Sequence, residues 1–349
     1  MRKSNKIKIL LARTDRLGDL VLTTTAIKAV REAYPDAHIA IIVRPYGKLL
    51  VDGNPYIDEV ITYDKLGLHK SVVATIRFAL RLRKARFDRA VIFHPTNRMH
   101  LITYIANIPR RVGYDNKLSF LLTDSIKNSK HKGEKHERDY TLDLLKALGI
   151  SSQEKELFVV LDDNARLRIE QVLSNHGIIA KDTLVTLHPG ASCVSKIWPS
   201  ERFAKLADAL AEKNNLKIAV IGGKDKRDLF CVDSVKGFMQ KEAIFLRGGL
   251  DLRELAALLK RSVLFISNDS GPVHIATAVG TPVLDIFGRN QPGLSPLRWG
   301  PLGGKDVVIH KDVGCEGICL AHNCKRSFAC LRAISVEDVY TAIQSMNIF

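Results

Sequence analysis

Short apolar runs alternate with longer amphipathic stretches from one end of the chain to the other, and this alternation limits the fold more than any other feature. A run of four to seven apolar residues closed by glycine or a polar turn reads as a strand buried on both faces. The stretch behind it, apolar at every third or fourth position, reads as a helix laid over the sheet. Repeating that unit produces a parallel sheet covered by helices. Strands are predicted at residues 6–12, 38–43, 59–63 and 89–93, and again at 183–187, 217–221, 243–246, 263–266 and 283–287. The stretch DYTLDLLKAL (139–148) closes at Gly149, so the chain is expected to break into two domains between there and residue 183. A length of 349 residues suits two cores of ordinary size. No repeat of solenoid period is visible, and the last helix, 336–346, is expected to pack back on the first domain.

Composition narrows the class. Apolar residues make up 46% and charged residues 26%, a globular balance. No apolar run approaches the ~20 residues of a membrane span. The start, MRKSNKIKILLARTD, runs from basic to apolar and back into charge without a small-residue cleavage site, so a cytoplasmic location is expected. Charge is uneven: residues 1–150 hold 28 Lys and Arg against 15 Asp and Glu, and the remainder 25 against 22. A field of that sign favours a polyanionic partner, whether nucleic acid, an anionic membrane face or a phosphorylated substrate.

In open parallel sheets ligands bind beyond the carboxyl ends of the strands, so the loops there are where chemistry is sought. RTDRLGD (13–19) follows the first strand and precedes a helix. Gly18 permits close approach and the helix start attracts anions, while Asp15 or Asp19 either caps the helix or acts as a general base. LHPGASCVSKIWP (187–199) sets Ser192 and Ser195 before Lys196, small residues beside a compact positive charge that suit phosphate; its plainer reading is a turn with a surface lysine. FISNDSGPVHIATAVGTP (265–282) places Asp269, Ser270 and Gly271 ahead of a helix whose first turn accepts Pro272. Backbone N–H groups at Ser270 and Gly271 suit a pyrophosphate, and His274 lies in the first or second turn, as a ligand contact or as a structural residue.

Absences restrict the chemistry further. No G-x-G-x-x-G follows the first strand, and neither G-x-x-x-x-G-K-[ST] nor G-x-S-x-G occurs, which counts against common dehydrogenases, P-loop enzymes and α/β-hydrolases. Carboxylates and histidines lack compact metal-ligand spacing. Six cysteines do not make a disulfide scaffold in a chain of this length. Four of them, Cys315, Cys319, Cys324 and Cys330, follow a C-x3-C-x4-C-x5-C spacing that fits either a thiolate zinc site or a thiol-rich loop. RFALRLRKARFDR (77–89) mixes basic and apolar residues as a helix resting on anionic lipid does, or as a solvated helix face does.

Taken in order, RLGDLVLTTTAIKAVREAYPDAHI (16–39), HPGASCVSKIWPSERFAKLADAL (188–210), IGGKDKRD (221–228), ISNDSGPVHIATAVGTPVLDIFG (266–288) and CEGICLAHNCKRSFACLRAISVEDV (315–339) resemble glycosyltransferase family nine, the lipopolysaccharide heptosyltransferases. The resemblance implies a GT-B architecture of two Rossmann-like domains facing across a cleft. Residues 1–175 would bind the acceptor, 176–334 the nucleotide sugar, and 335–349 would form a helix returning to the first domain. It implies inverting transfer of heptose from ADP-heptose to a lipid A-linked core oligosaccharide, with no essential metal and no other cofactor. Asp19 matches the proposed base and Lys196 the phosphate-binding lysine. Ser192 matches a hydroxyl contact to phosphate, and Asp269, Ser270, Gly271 and His274 match the donor loop. Asp225 falls near the position that holds ribose and Leu250 near the adenine pocket. Arg13 and Arg16 are expected to receive the anionic acceptor, and the inner face of the cytoplasmic membrane is the expected peripheral partner, with no nucleic acid. Two rivals make different demands. An epimerase of similar fold converts the donor without an acceptor, and a basic nucleic-acid-binding protein binds tightly at low salt with no affinity for ADP.

Overall fold

The computed structural model describes residues 6–214, 216–315, 319 and 321–349. Strand β1 (Lys8–Ala12) has Ile9, Leu10 and Leu11 wholly buried, as a strand covered on both faces requires. It pairs in parallel with β2 (His38–Val43) and β4 (Arg89–Ile92). With β3 (Glu59–Thr62), β5 (Arg110–Tyr114) and β6 (Asp124–Ile126) these strands form a sheet of order β3-β2-β1-β4-β5-β6. The second sheet comprises β7 (Leu184–His188), β8 (Lys217–Gly222), β9 (Ile244–Arg247), β10 (Leu264–Asn268), β11 (Val283–Ile286) and β12 (Val307–Ile309), in the order β12-β11-β10-β7-β8-β9. Both sheets are wholly parallel and share the doubly wound order 3-2-1-4-5-6. In each, the chain winds outward on one side and then crosses to the other, leaving a crevice between β1 and β4 and another between β7 and β10.

All nine predicted strands form, with ends within two residues of expectation. Three further strands, β5, β6 and β12, lie toward the sheet edges. Their partly exposed, short sequences RRVGY, DSI and VVI carry no distinctive apolar run.

The chain divides between Val160 and Leu161, not at the expected 175/176. The cause is the helix Asp163–Asn175, which buries Ala165, Ile169 and Leu173 and packs on the helix Leu252–Arg261 of the second unit. The expected return of residues 335–349 to the first domain also differs from the packing. The helix Val336–Ser345 lies on the helix Ser200–Asn214 and on β12, and inserts Val339 and Ile343 into the core built around Trp198, Phe203 and Leu331. Trp198 Nε1 donates to the Ile334 carbonyl at 3.0 Å, pinning the approach to that helix.

Candidate active site

The crevice of the first unit is built from the ends of β1 and β4. Beyond Ala12 the chain runs through Arg13 to Arg16, the N-cap of the helix Leu17–Ala33, which makes no side-chain capping bond. Gly18 has ordinary helical backbone, and Asp19 sits in the first helical turn. Asp19 is almost wholly buried and accepts a hydrogen bond from Arg13 Nη2. The same guanidinium donates to Asp15 Oδ1 at 2.8 Å and to Glu137 Oε1 at 3.1 Å. Glu137, at the start of the helix Glu137–Lys146, also accepts from Lys130 Nζ at 2.6 Å. His94, just past β4, lies with Nδ1 3.3 Å from Asp15 Oδ2.

Three carboxylates therefore meet two cations below the crevice. Burial, reinforced by Asp15 and Glu137 and opposed by Arg13, raises the pKa of Asp19 to about 6. Arg13 is also buried, which disfavours its charge, but the carboxylates around it outweigh that cost and hold it protonated. Burial and the neighbouring Arg13 push His94 down to about 4, so its ring is neutral at pH 7. Arg13 is thus not available to receive an anionic acceptor: its guanidinium is spent on orienting Asp19, Asp15 and Glu137. Arg16 is exposed and keeps a free approach to solvent.

In the second unit the crevice brings two sequence-predicted clusters together. Lys196 Nζ lies 2.8 Å from Asp269 Oδ2 and donates to the Asp269 carbonyl at 3.2 Å. Asn268 accepts from Trp198 N at 3.0 Å and donates to the Pro189 carbonyl at 2.7 Å, locking the 188–199 loop to the end of β10. Ser270 is the N-cap of the helix Gly271–Ala278 but makes no capping bond. Its hydroxyl turns to Ser267 Oγ at 2.9 Å and to His188 Nδ1 at 3.2 Å, leaving the helix start open to an anion. His274 is buried in that helix.

Sequence reasoning missed several members of this site. Arg289, just past β11, is buried and places Nη2 2.9 Å from Asp269 Oδ2, so two cations converge on one carboxylate oxygen. Its Nε is buried without a hydrogen-bond partner. Asp285, in β11, is fully buried with neither oxygen bonded. Burial first, then Asp269, raise its pKa and favour its neutral form. His188 Nε2 meets Asp228 Oδ2 at 3.3 Å, and Asp228 also accepts from Gly223 N at 2.9 Å. None of these follows a recognisable spacing; only the polar residue inside the apolar run VLDIF hints at Asp285.

The remaining predicted residues lie nearer the surface. Ser192 is exposed, its carbonyl held by Arg227. Asp225 caps the helix Lys226–Phe238, accepting from Arg227 N at 3.1 Å and Asp228 N at 3.2 Å. Leu250 is half-buried just before Asp251, the cap of the helix Leu252–Arg261. Among the described residues no group of three or more His, Cys, Asp or Glu is arranged to hold a metal.

Residues 75–326 match the family described as glycosyltransferase family 9 (heptosyltransferase). The chain is 26% identical over 342 residues to lipopolysaccharide heptosyltransferase 3 of Escherichia coli K12, covering 94% of this chain and 95% of that one. It is similar to the crystal structure of a family 9 glycosyl transferase from Veillonella parvula, with a TM-score of 0.87 and 26% identity over 97% of each chain. It also matches the fold of E. coli ADP-heptose heptosyltransferase II, with a TM-score of 0.81 and 20% identity over 97% of this chain and 98% of that one. The chain, a pair of Rossmann-like domains of the GT-B kind, belongs to glycosyltransferase family 9, the heptosyltransferase family.

Proposed function

We propose that this glycosyltransferase moves heptose, with inversion, from ADP-heptose to the inner core of a lipid A-linked acceptor, with Asp19 as general base. The single observation that carries the reading is a buried carboxylate with a pKa of about 6, held by Arg13 at the switch point of the first sheet. A base is most effective when its pKa lies near the working pH, and few carboxylates come that close. The acceptor hydroxyl attacks the anomeric carbon as the bond from that carbon to the diphosphate breaks. The proton passes to Asp19, and ADP leaves with the electron pair.

Charge developing on the leaving group needs fixed positive partners. Lys196 and the N–H groups at Ser270 and Gly271 supply them, and Arg289 adds a second cation beside Lys196. Ser192 contacts phosphate, while Asp225, Leu250, Asp269 and His274 complete the donor site. Arg16, exposed at the crevice of the first unit, contacts the acceptor, and Arg13 acts only by positioning the base. Relatives named as a lipopolysaccharide heptosyltransferase and as a lipopolysaccharide core heptosyltransferase support the choice of acceptor. No helix among the described residues is long and apolar enough to cross a membrane. A lipid-anchored acceptor then calls for peripheral attachment at the inner face of the cytoplasmic membrane.

The test is incubation of the purified chain with ADP-heptose and truncated lipid A-linked acceptors, with products weighed by mass spectrometry. An acceptor heavier by one heptose supports transfer, and an isomerised donor in the absence of acceptor supports epimerisation instead. Asp19→Asn is expected to keep ADP affinity and lose about 10²- to 10⁴-fold in turnover; a near-normal rate removes Asp19 from the base role.

A further inference from the structure

We propose that the helix Val72–Ala85 and the loop before it form the surface by which this enzyme docks on an anionic lipid bilayer, an inference that rests on the lipid-anchored acceptor proposed above. The helix, VVATIRFALRLRKA, has two apolar faces. Thr75, Phe78, Ala79 and Leu82 point into the core of the first unit. Val72, Val73, Ile76 and Leu80 follow one another round the other side and stay in solvent, with Val72 68% and Val73 58% exposed. Leu68, 83% exposed, lines a separate groove with Arg77, Phe78 and Arg81, in which the acid Glu59 lies 3.1 Å from His38 Nε2. A soluble helix needs only one apolar face, and exposed apolar residues grouped this closely mark an interaction site.

The charge on the rim decides what covers the patch. Arg77, Arg81, Arg83 and Lys84 are exposed along the helix, which contains no acid. Asp64, in the preceding loop, is engaged by the N–H groups of Gly67, Leu66 and Leu68. A second copy of the chain set against this face brings arginines against arginines. An anionic bilayer instead accepts the apolar side chains among its acyl chains and offers phosphates to the guanidinium groups, as at other interfacial helices.

Position ties this surface to the reaction. Lys65, in the same loop, donates from Nζ to the Thr14 carbonyl at 3.1 Å, and Thr14 precedes Asp15 in the crevice that holds Asp19. Arg98 braces the loop through the carbonyls of Lys65 and Lys70. Docking by Leu68 and the helix therefore sets the base-bearing loop beside the membrane surface, where a lipid-linked acceptor presents its sugars.

The experiment is flotation of the full-length chain with vesicles of phosphatidylethanolamine and phosphatidylglycerol, against vesicles of phosphatidylcholine alone. Wild type is expected to float with the anionic vesicles and to be released by 0.5 M salt, roughly as interfacial charge screening requires. V73S/L80S is expected to weaken binding roughly tenfold. R83Q/K84Q is expected to weaken it about 20- to 30-fold, from about one unit of surface attraction per charge lost. Both variants are expected to keep the ADP affinity and both thermal transitions of wild type. Equal flotation of V73S/L80S and wild type, or equal flotation with neutral and anionic vesicles, overturns the proposal. So does a wild-type dimer that V73S/L80S converts to monomer, which assigns the patch to self-association. Flotation uses neither donor nor acceptor, so a failure of heptose transfer leaves this result readable, and the converse holds.

Discussion

Asp19 is pulled in two directions: burial and Asp15 favour its neutral form, while Arg13 favours the carboxylate, and the outcome is a pKa of about 6. The ionised form is the base, so kcat/KM is expected to fall as pH drops through about 6, and a profile flat down to pH 4.5 contradicts the assignment. Glu137 adds negative charge to the same cluster, and Glu137→Gln should move that acidic limb downward without removing the base itself. Arg289 carries a separate prediction. Charge-assisted hydrogen bonds contribute about 1.5–3 kcal/mol, so Arg289→Gln should weaken ADP binding by roughly ten- to a hundredfold in calorimetry and leave adenosine binding unchanged. Equal losses for ADP and adenosine mean that Arg289 only braces Asp269. The positions of Asp19, Lys196 and the 269–271 loop beyond strand ends were legible in the sequence. Glu137, Arg289 and Asp228 were not, since each reaches its partner across tens of residues of chain and no local spacing encodes that meeting.

The strand-to-helix connections do the positioning, and their small residues have steric reasons. A Cβ on Gly190 would lie 2.2 Å from Asp228 Oδ1 and 3.0 Å from His188 Nε2. Gly190→Ala is therefore expected to cost about 1–3 kcal/mol in urea unfolding, the usual range for overpacking, and to disturb the His188–Asp228 pair. From sequence, the small residues Ser192 and Ser195 suggested room for phosphate; Gly190, earlier in the same loop, is kept small by a neighbouring carboxylate. The helix Gly271–Ala278 shows the converse. Its start was readable from Ser270 and Pro272, yet Ser270 spends its hydroxyl on Ser267 and His188 and makes no capping bond. Asp225, proposed at the ribose, also caps a helix, an ordinary use of Asp that fixes where its carboxylate sits.

Two sheets with separate cores predict two thermal transitions in calorimetry rather than one. ADP at a hundred times its Kd should stabilise the unit of residues 161–349 by about 2.7 kcal/mol and leave the other transition in place. A shift of the first unit's transition alone would put the nucleotide in the wrong domain. Cutting the chain after residue 335 removes Val339 and Ile343 from the second core. The ADP-stabilised transition should then be lost or fall sharply, since two buried aliphatic side chains contribute several kcal/mol together.

The order of apolar and amphipathic segments, by itself, determined that the chain forms two α/β domains on parallel sheets, because strand burial and helix amphipathicity are written in local periodicity; the doubly wound strand order is a tertiary feature. The segment order also placed the reactive loops, since parallel sheets present their strand ends to ligands. Only the tertiary structure decided where one domain stops, that the last helix completes the second core, and that Arg13 serves Asp19 rather than a substrate. Those outcomes depend on which distant side chains share one buried space, and burial sets both the pKa of a carboxylate and the use of the arginine beside it.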